Sequence, residues 1–425
     1  MLVRGGEFLP SALRRFWRML GPGFITGASD DDPSGIGTYV VAGASYGFAT
    51  LWTALVTFPM MAAVQYTVAK IAMVSGEGLG CVLRKHYPRK IVYPAAIALL
   101  IANTINAGAD IGAIAASLNL LLPIPIAILI LPIAVAILTA QIWGSYRFIA
   151  GVFKWLTLSL LAYIGSAFFA HPNLREVLYA TVVPQIHWDS KYLSLLVALL
   201  GTTISPYMFF WQAAQEVEEE VAQGRKHLWQ RRGATAHELK EAALDVNFGM
   251  LFSNVVMYFI ILATGATLFK AGQTNVQSTR QAAESLRPLA GPLAEFLLAF
   301  GLIGAGVLAV PILTASSAYA LSECLGWSRG LDRKLGHAPK FYALIGVSTI
   351  IGALINFIGI NPISALFWSA VINGFVAPPL LVLLMLIANN DKVMGKRVNG
   401  RGLNFLGWLT TAAMFAAAIG MLWTL

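Results

Sequence analysis

Apolar runs of eighteen or more residues recur along the whole 425-residue chain, and each is long enough to cross about 30 Å of hydrocarbon. In lipid every backbone polar group must be satisfied within the segment, so runs of this length can only be helices. The fold class is therefore an all-α integral membrane protein of many spans. Charged residues make up 12% of the chain, against about a quarter in a soluble one. Eleven spans are predicted: 21–47, 49–75, 91–118, 125–143, 146–169, 193–219, 246–269, 289–323, 341–359, 362–388 and 403–424. No cleavable signal peptide is expected, because the first apolar run lacks a small-residue cleavage site. Cys81 and Cys324 fall at span ends assigned to the cytoplasm, which argues against a disulfide.

Orientation follows the loop cations. The N-terminal segment and the loops after spans 2, 4, 6, 8 and 10 hold 22 of the 29 Lys and Arg residues. The opposite loops hold Arg175, Lys191, Lys270, Arg280 and Arg287. This places the N-terminus, residues 1–20 included, in the cytoplasm and the C-terminus outside, in a membrane of the bacterial inner type. The same asymmetry accounts for the net charge of +9, so no nucleic-acid partner is expected. The partners expected are the bilayer and a transported ion, with oligomeric state left open. Walker, glycine-rich phosphate and nucleophile-elbow motifs are absent, so the chain does not read as an enzyme or an ATP-driven pump.

Two spans carry helix breakers in mid-membrane. In the first, "GASDDDPSGIG" places Asp30, Asp31 and Asp32 directly before Pro33. In the sixth, "GTTISPYMFF" places Thr202 and Ser205 before Pro206. A proline removes a backbone donor and clashes with the preceding turn. Interrupted helices five spans apart point to a five-plus-five inverted repeat with a site at the midplane. The halves would be 21–169 and 193–388, with 403–424 as an added span. Acids within a span are costly and usually functional. Three of them at a helix break imply that a cation binds there.

The stretches "GPGFITGASDDDPSG", "NAGADIGAIAASLNLLLPIPI" and "GTTISPYMFF" resemble the natural-resistance-associated macrophage protein (Nramp) family of divalent-metal transporters. The resemblance covers nearly the whole chain and implies the LeuT-type fold. The family's first-span motif is Asp-Pro-Gly-Asn, and here it reads Asp32-Pro33-Ser34-Gly35. Its aspartate ligand carries over to Asp32, while Gly35 stands at the asparagine. The sixth-span Met-Pro-His becomes Ser205-Pro206-Tyr207. The resemblance places backbone-carbonyl ligands on Ser29 and Thr202. A family glutamate in span 3 aligns with Asp110, an aspartate one turn earlier with Ala107, and polar residues of span 10 with Asn373. These departures are similar to the branch called Nramp-related magnesium transporters.

With the thioether and imidazole gone, the donors left are oxygens: Asp32, Asp31 or Asp30, the Ser205 hydroxyl, and the Ser29 and Thr202 carbonyls. Such a set suits a hard cation. Magnesium keeps waters and needs only one or two carboxylates, and Gly35 and Ser205 are expected to make room for those waters. Met208 is expected to be a packing residue. Asn103, Asn106 and Asp110 share one helical face at i, i+3 and i+7; for the asparagines, hydrogen bonds between helices and a polar wall of the ion path stand level, and Asp110 is expected on the path. Glu216, Glu218, Glu219 and Glu220 are expected to pair with Arg225 and Lys226, the alternative being a cytoplasmic cation exit, at the head of a solvated loop running to Asp245. Lys70 and Lys154 are expected to snorkel or pair.

The function expected is secondary transport of hard divalent cations, chiefly Mg²⁺ and also Mn²⁺, with little or no proton coupling. The cation is cargo, and no cofactor is expected. One alternative is proton-coupled Mn²⁺ or Fe²⁺ import. Another is transport of an organic solute by the same fold, which three aspartates at the break disfavour for any carboxylate-bearing solute.

Overall fold

The computed structural model describes residues 21–144 and 158–424. The N-terminal segment 1–20, the first part of span 5 and Lys154 lie outside them. The described chain is helical: α1 (Pro22–Asp30), α2 (Pro33–Tyr46), α3 (Trp52–Ser75), α4 (Leu79–His86), α5 (Arg89–Leu121), α6 (Ile126–Trp143), α7 (Ala162–Phe169), α8 (Leu174–Val182), α9 (Ser190–Thr203), α10 (Pro206–Ala222), α11 (Ala236–Thr264), α12 (Ala294–Leu325), α13 (Pro339–Ile355), α14 (Pro362–Ala388) and α15 (Arg401–Thr424). Among the described residues nine helical stretches are long and apolar enough to span a bilayer. The pair α1–α2 forms the broken first span, and α7 belongs to span 5.

Both predicted interruptions are present, and their backbones match. Asp31 (φ −80°, ψ 52°) ends α1, and Asp32 (φ −69°, ψ 166°) precedes Pro33. Ile204 (φ −121°, ψ 53°) ends α9, and Ser205 (φ −70°, ψ 132°) precedes Pro206. In each case two non-helical residues lead into a proline at the first helical position, where its missing N–H is harmless.

In the bundle α5 and α12 are in the most extensive contact. By contrast α6 and α15 turn Ile128, Val135, Phe405, Ile419 and Leu422 outward, as lipid-facing helices do. At several crossings backbone lies against backbone. A Cβ on Gly27 would come within 2.2 Å of Gly249 C, one on Gly108 within 2.4 Å of Gly352 O, and one on Gly201 within 2.3 Å of Gly374 N. Glycine permits this approach, as small residues do at membrane helix interfaces.

Some sequence expectations need correction. The stretch from Glu218 to Asp245 is not one solvated loop. Its second half is the start of α11, launched by a Thr235–Glu238 capping box, so span 7 projects well beyond the apolar run. The third span is likewise longer, 33 residues from Arg89 to Leu121. Lys70 neither snorkels nor forms an ion pair: its Nζ donates to Val398 O and Asn399 Oδ1, each at 3.1 Å. Cys81 and Cys324 are both buried and free.

Candidate metal site at the helix breaks

The break in the first span exists because Asp32 caps the helix after it. Its Oδ1 accepts from Gly35 N and from the Ser34 hydroxyl, both at 2.7 Å, so the carboxylate closes the N-terminus of α2. Its Oδ2 accepts from Asn106 Nδ2 of α5 at 3.1 Å. Asn106 in turn is held by the Ser369 hydroxyl of α14, which donates to its Oδ1 at 2.9 Å. The carboxylate is thus fixed from two helices while retaining lone pairs for an ion. The C-terminal carbonyls of α1 lie beside it and bring the negative end of that half-helix.

The second break adjoins the first. Tyr207 donates its hydroxyl to Ser29 O at 2.9 Å, joining α10 to α1. The Ser205 hydroxyl donates to Gly201 O at 2.7 Å and to Thr202 O at 2.9 Å. The predicted donors Ser29, Thr202 and Ser205 are therefore engaged in hydrogen bonds across and within the two breaks. Gly35 is not spare room. A Cβ there would lie 2.9 Å from Thr202 Oγ1, 3.3 Å from Asp30 O and 3.4 Å from Asp32 Oδ1. The space that an asparagine would need is filled by Thr202, whose Oγ1 is buried beside the Tyr39 hydroxyl.

Asp30 and Asp31 point elsewhere. Both converge on Ser253 of α11, whose hydroxyl lies 2.5 Å from Asp30 Oδ2 and 3.2 Å from Asp31 Oδ1. The structure thus separates the three aspartates into two settings: Asp32 between α2 and α5, Asp30 and Asp31 against α11. Among the described residues no three His, Cys, Asp or Glu side chains converge as a ready-made cage. A cation between the breaks would be held by one carboxylate, carbonyls, hydroxyls and its own waters.

The polar wall on α5 divides in the same way. Asn106 reaches Asp32, whereas Asn103 donates to Leu313 O and Ser317 Oγ of α12 and so ties two helices together. Asp110 is buried, faces the backbone of Ser34 beside the first break, and lies close enough to Asp32 for their charges to interact. Asn373 is buried on α14 with its amide unpartnered. Met208 packs with Ala107, Ile111 and Trp211 in an apolar cluster, as expected of a packing residue.

Two residues that position the site have little signal in the sequence. Ser253 belongs to a Ser-Asn pair in an otherwise apolar stretch of span 7, which is the only hint. Asp245 accepts from Gly21 N at 2.8 Å, Gly23 N at 2.7 Å and Phe24 N at 3.1 Å, and so caps α1 from across the chain. Farther out, the acids of α10 pair only in part as predicted. Glu220 meets Arg225, but Glu216 accepts from Gln212, Glu218 accepts from the Tyr319 hydroxyl, and Lys226 makes no ion pair among the described residues.

A bundle with two facing half-helix breaks, the first lined by carboxylates, defines a transporter of the LeuT type. The structure is similar to a manganese transporter of Eremococcus coleocola (TM-score 0.77, 18% identity, covering 97% of this chain and 88% of that one) and to MhsT (TM-score 0.57, 14% identity, covering 93% and 98%). The family described as "Natural resistance-associated macrophage protein-like" matches residues 23–424, and the chain belongs to that Nramp family. Curated relatives include proteins named divalent metal cation transporter MntH. The one from Bacillus subtilis is 27% identical over 411 residues, covering 93% of this chain and 90% of the relative. The one from Deinococcus radiodurans is 25% identical over 424 residues, covering 98% and 92%.

Proposed function

We propose that the protein is a secondary transporter of divalent metal cations, with Mg²⁺ as its chief cargo and Mn²⁺ also carried. One observation carries the reading. Asp30, Asp31, Asp32 and Asp110 are at most 2% exposed, and none of them forms an ion pair among the described residues. A buried carboxylate without a cationic partner must be neutralised, by a proton or by a bound cation, and four of them around two helix breaks favour the cation. Asp32 would be the ionic ligand, with the Ser29 and Thr202 carbonyls and the Ser205 hydroxyl as neutral ones. Asp31 and Asp30 would add negative potential from the α11 side. Gly35, Asn106, Asp110, Tyr207 and Asn373 would line or brace the path, and Asn103 would brace α5 against α12.

The donor set supports a hard ion. It offers no sulfur or imidazole, and Met208 is engaged in apolar packing. With few protein ligands, an ion that retains waters is better matched than one that must be stripped. The test is competition in proteoliposomes: Mg²⁺ uptake should resist a tenfold excess of Mn²⁺ better than uptake by the MntH relatives does. Ser205→Met, which returns a thioether to the break, is expected to move preference toward Mn²⁺ and Cd²⁺. Tight, water-free Mn²⁺ binding to the unaltered protein by calorimetry would overturn the hard-ion reading. The second reading is proton-coupled Mn²⁺ or Fe²⁺ import, favoured by the manganese transporter among the structural relatives.

Proton coupling is not required on energetic grounds. A negative-inside potential acts on two charges at about 2.3 kcal/mol each per 100 mV, roughly 4.6 kcal/mol in all. Tyr207 cannot exchange protons near neutral pH as a histidine does, and its hydroxyl is committed to Ser29 O. Internal pH in proteoliposomes is therefore expected to stay flat during Mg²⁺ uptake. Stoichiometric acidification that disappears in Asp110→Asn would establish coupling instead.

A further inference from the structure

Away from the helix breaks, a cavity of about 380 Å³ opens where α3, α11 and the link between α14 and α15 meet. Tyr66, Lys70, Lys240, Lys396, Arg397 and Val398 form its polar wall, and no carboxylate lines it. Lys70 is only 6% exposed, and both groups that hold its ammonium are neutral. An ammonium has three donors, so one remains unused. Arg397 lies close enough for its charge to act on Lys70. None of the four cations forms an ion pair among the described residues. The acids of the adjoining turn of α11 face other partners: Glu238 pairs with Arg225 at 2.5 Å, and Glu241 lies 3.4 Å from His237.

Four like charges around one space repel one another, more strongly where a side chain is buried. Such an arrangement is stabilised by an anion that accepts from several donors at once. Phosphate oxygens suit it, since a guanidinium can pair with them through two donors and the lysines supply point charge. The cavity sits at the end of the bundle that the loop cations assign to the cytoplasm. Lys70 lies five residues before the end of α3, and Lys240 lies in the opening turns of α11. Basic pockets between helices at that level meet acidic headgroups.

We propose that this cavity binds a phosphate-bearing anion, supplied either by the headgroup of an acidic phospholipid or by a free phosphate ester. The bound phosphate clamps the α14–α15 link onto α3 and α11. Because α11 also carries Asp245, the cap of α1, occupancy braces the cytoplasmic half of the first span.

The test is thermal unfolding of the purified full-length protein in a neutral detergent. Phosphatidylglycerol, phosphatidylcholine, inorganic phosphate and glycerol 3-phosphate are added separately. Phosphatidylglycerol is expected to raise the wild-type midpoint by about 5 °C, and phosphatidylcholine to leave it unchanged. Lys240→Gln/Arg397→Gln should lose most of that shift. The control Lys392→Gln/Arg401→Gln, elsewhere on the same face, should keep it. A response to phosphatidylglycerol alone assigns a lipid source, and a response to the soluble esters at millimolar concentration assigns a free one. Should the double variant fold poorly, Lys396→Gln at an exposed position serves in its place, with a partial loss expected. The proposal is overturned if no phosphate compound shifts the wild type, or if the site variant and the control respond alike.

Discussion

Replacing Asp32 by alanine is expected to abolish metal uptake while the purified protein still folds. The carboxylate has two jobs, and they separate in the right variants. As the N-cap of α2 it is worth about 1 kcal/mol, a loss that a large helical bundle tolerates. Asn106 holds its other oxygen between the breaks, where under the proposed function it serves as the ionic ligand beside the carbonyl and hydroxyl donors. Asp32→Asn retains a capping oxygen and loses the charge. It should match wild type in thermal midpoint yet still fail to transport. Metal flux into liposomes alongside a melting curve reads both quantities. Wild-type flux from either variant would remove Asp32 from the site.

Asp245→Ala carries the second large effect. Three backbone amides at the start of α1 lose their shared acceptor at once; the one at Gly23 is buried, and an orphaned buried donor costs about 1–3 kcal/mol. The two part-buried amides can turn to water, so roughly 1–3 kcal/mol is expected from the set. The half-helix that ends at the metal site would come away from α11. A cysteine placed at Thr26, which is fully buried, should then react with a maleimide from the cytoplasmic side, while it stays protected in the parent. The native Cys81 and Cys324 are buried and contribute little background. Unchanged melting and unchanged protection would show that the cap is dispensable.

The parts of this molecule that are legible in the sequence are those written locally. Pro33 and Pro206 announce both breaks, because the missing donor acts on the turn just before it. The loop lysines and arginines point to an orientation, and the "DDDPSG" stretch locates the charge. The hidden parts depend on partners far along the chain. Asp245 reads as the end of a solvated loop, since nothing nearby says that Gly21 to Phe24 will fold beneath it. Ser253 reads as one small polar residue in a span. Its meaning comes only from Asp30 and Asp31 meeting it across more than 220 positions. Counting residues also cannot tell whether Gly35 leaves a gap or lets a neighbour in, and Thr202 takes the space. Asp30 and Asp31 stand level as candidate ligands for the same reason: a run of three acids looks uniform until the break rotates them to different faces.

The glycine-to-glycine crossings at Gly27 with Gly249, Gly108 with Gly352 and Gly201 with Gly374 bear on how such a bundle moves. Where bulky side chains interlock, one helix passes another only by jumping a full turn. At these crossings there are no teeth to disengage. They behave as plain bearings: smooth journals on which a half-helix can pivot or slip by a fraction of a turn. Two of the three carry α1 and α9, the half-helices that lead into the breaks. The tight fit of the surrounding core and a low-friction swing of the two half-helices that lead into the breaks are therefore compatible in one structure, and a single methyl group at Gly27 or Gly201 is enough to seize that swing.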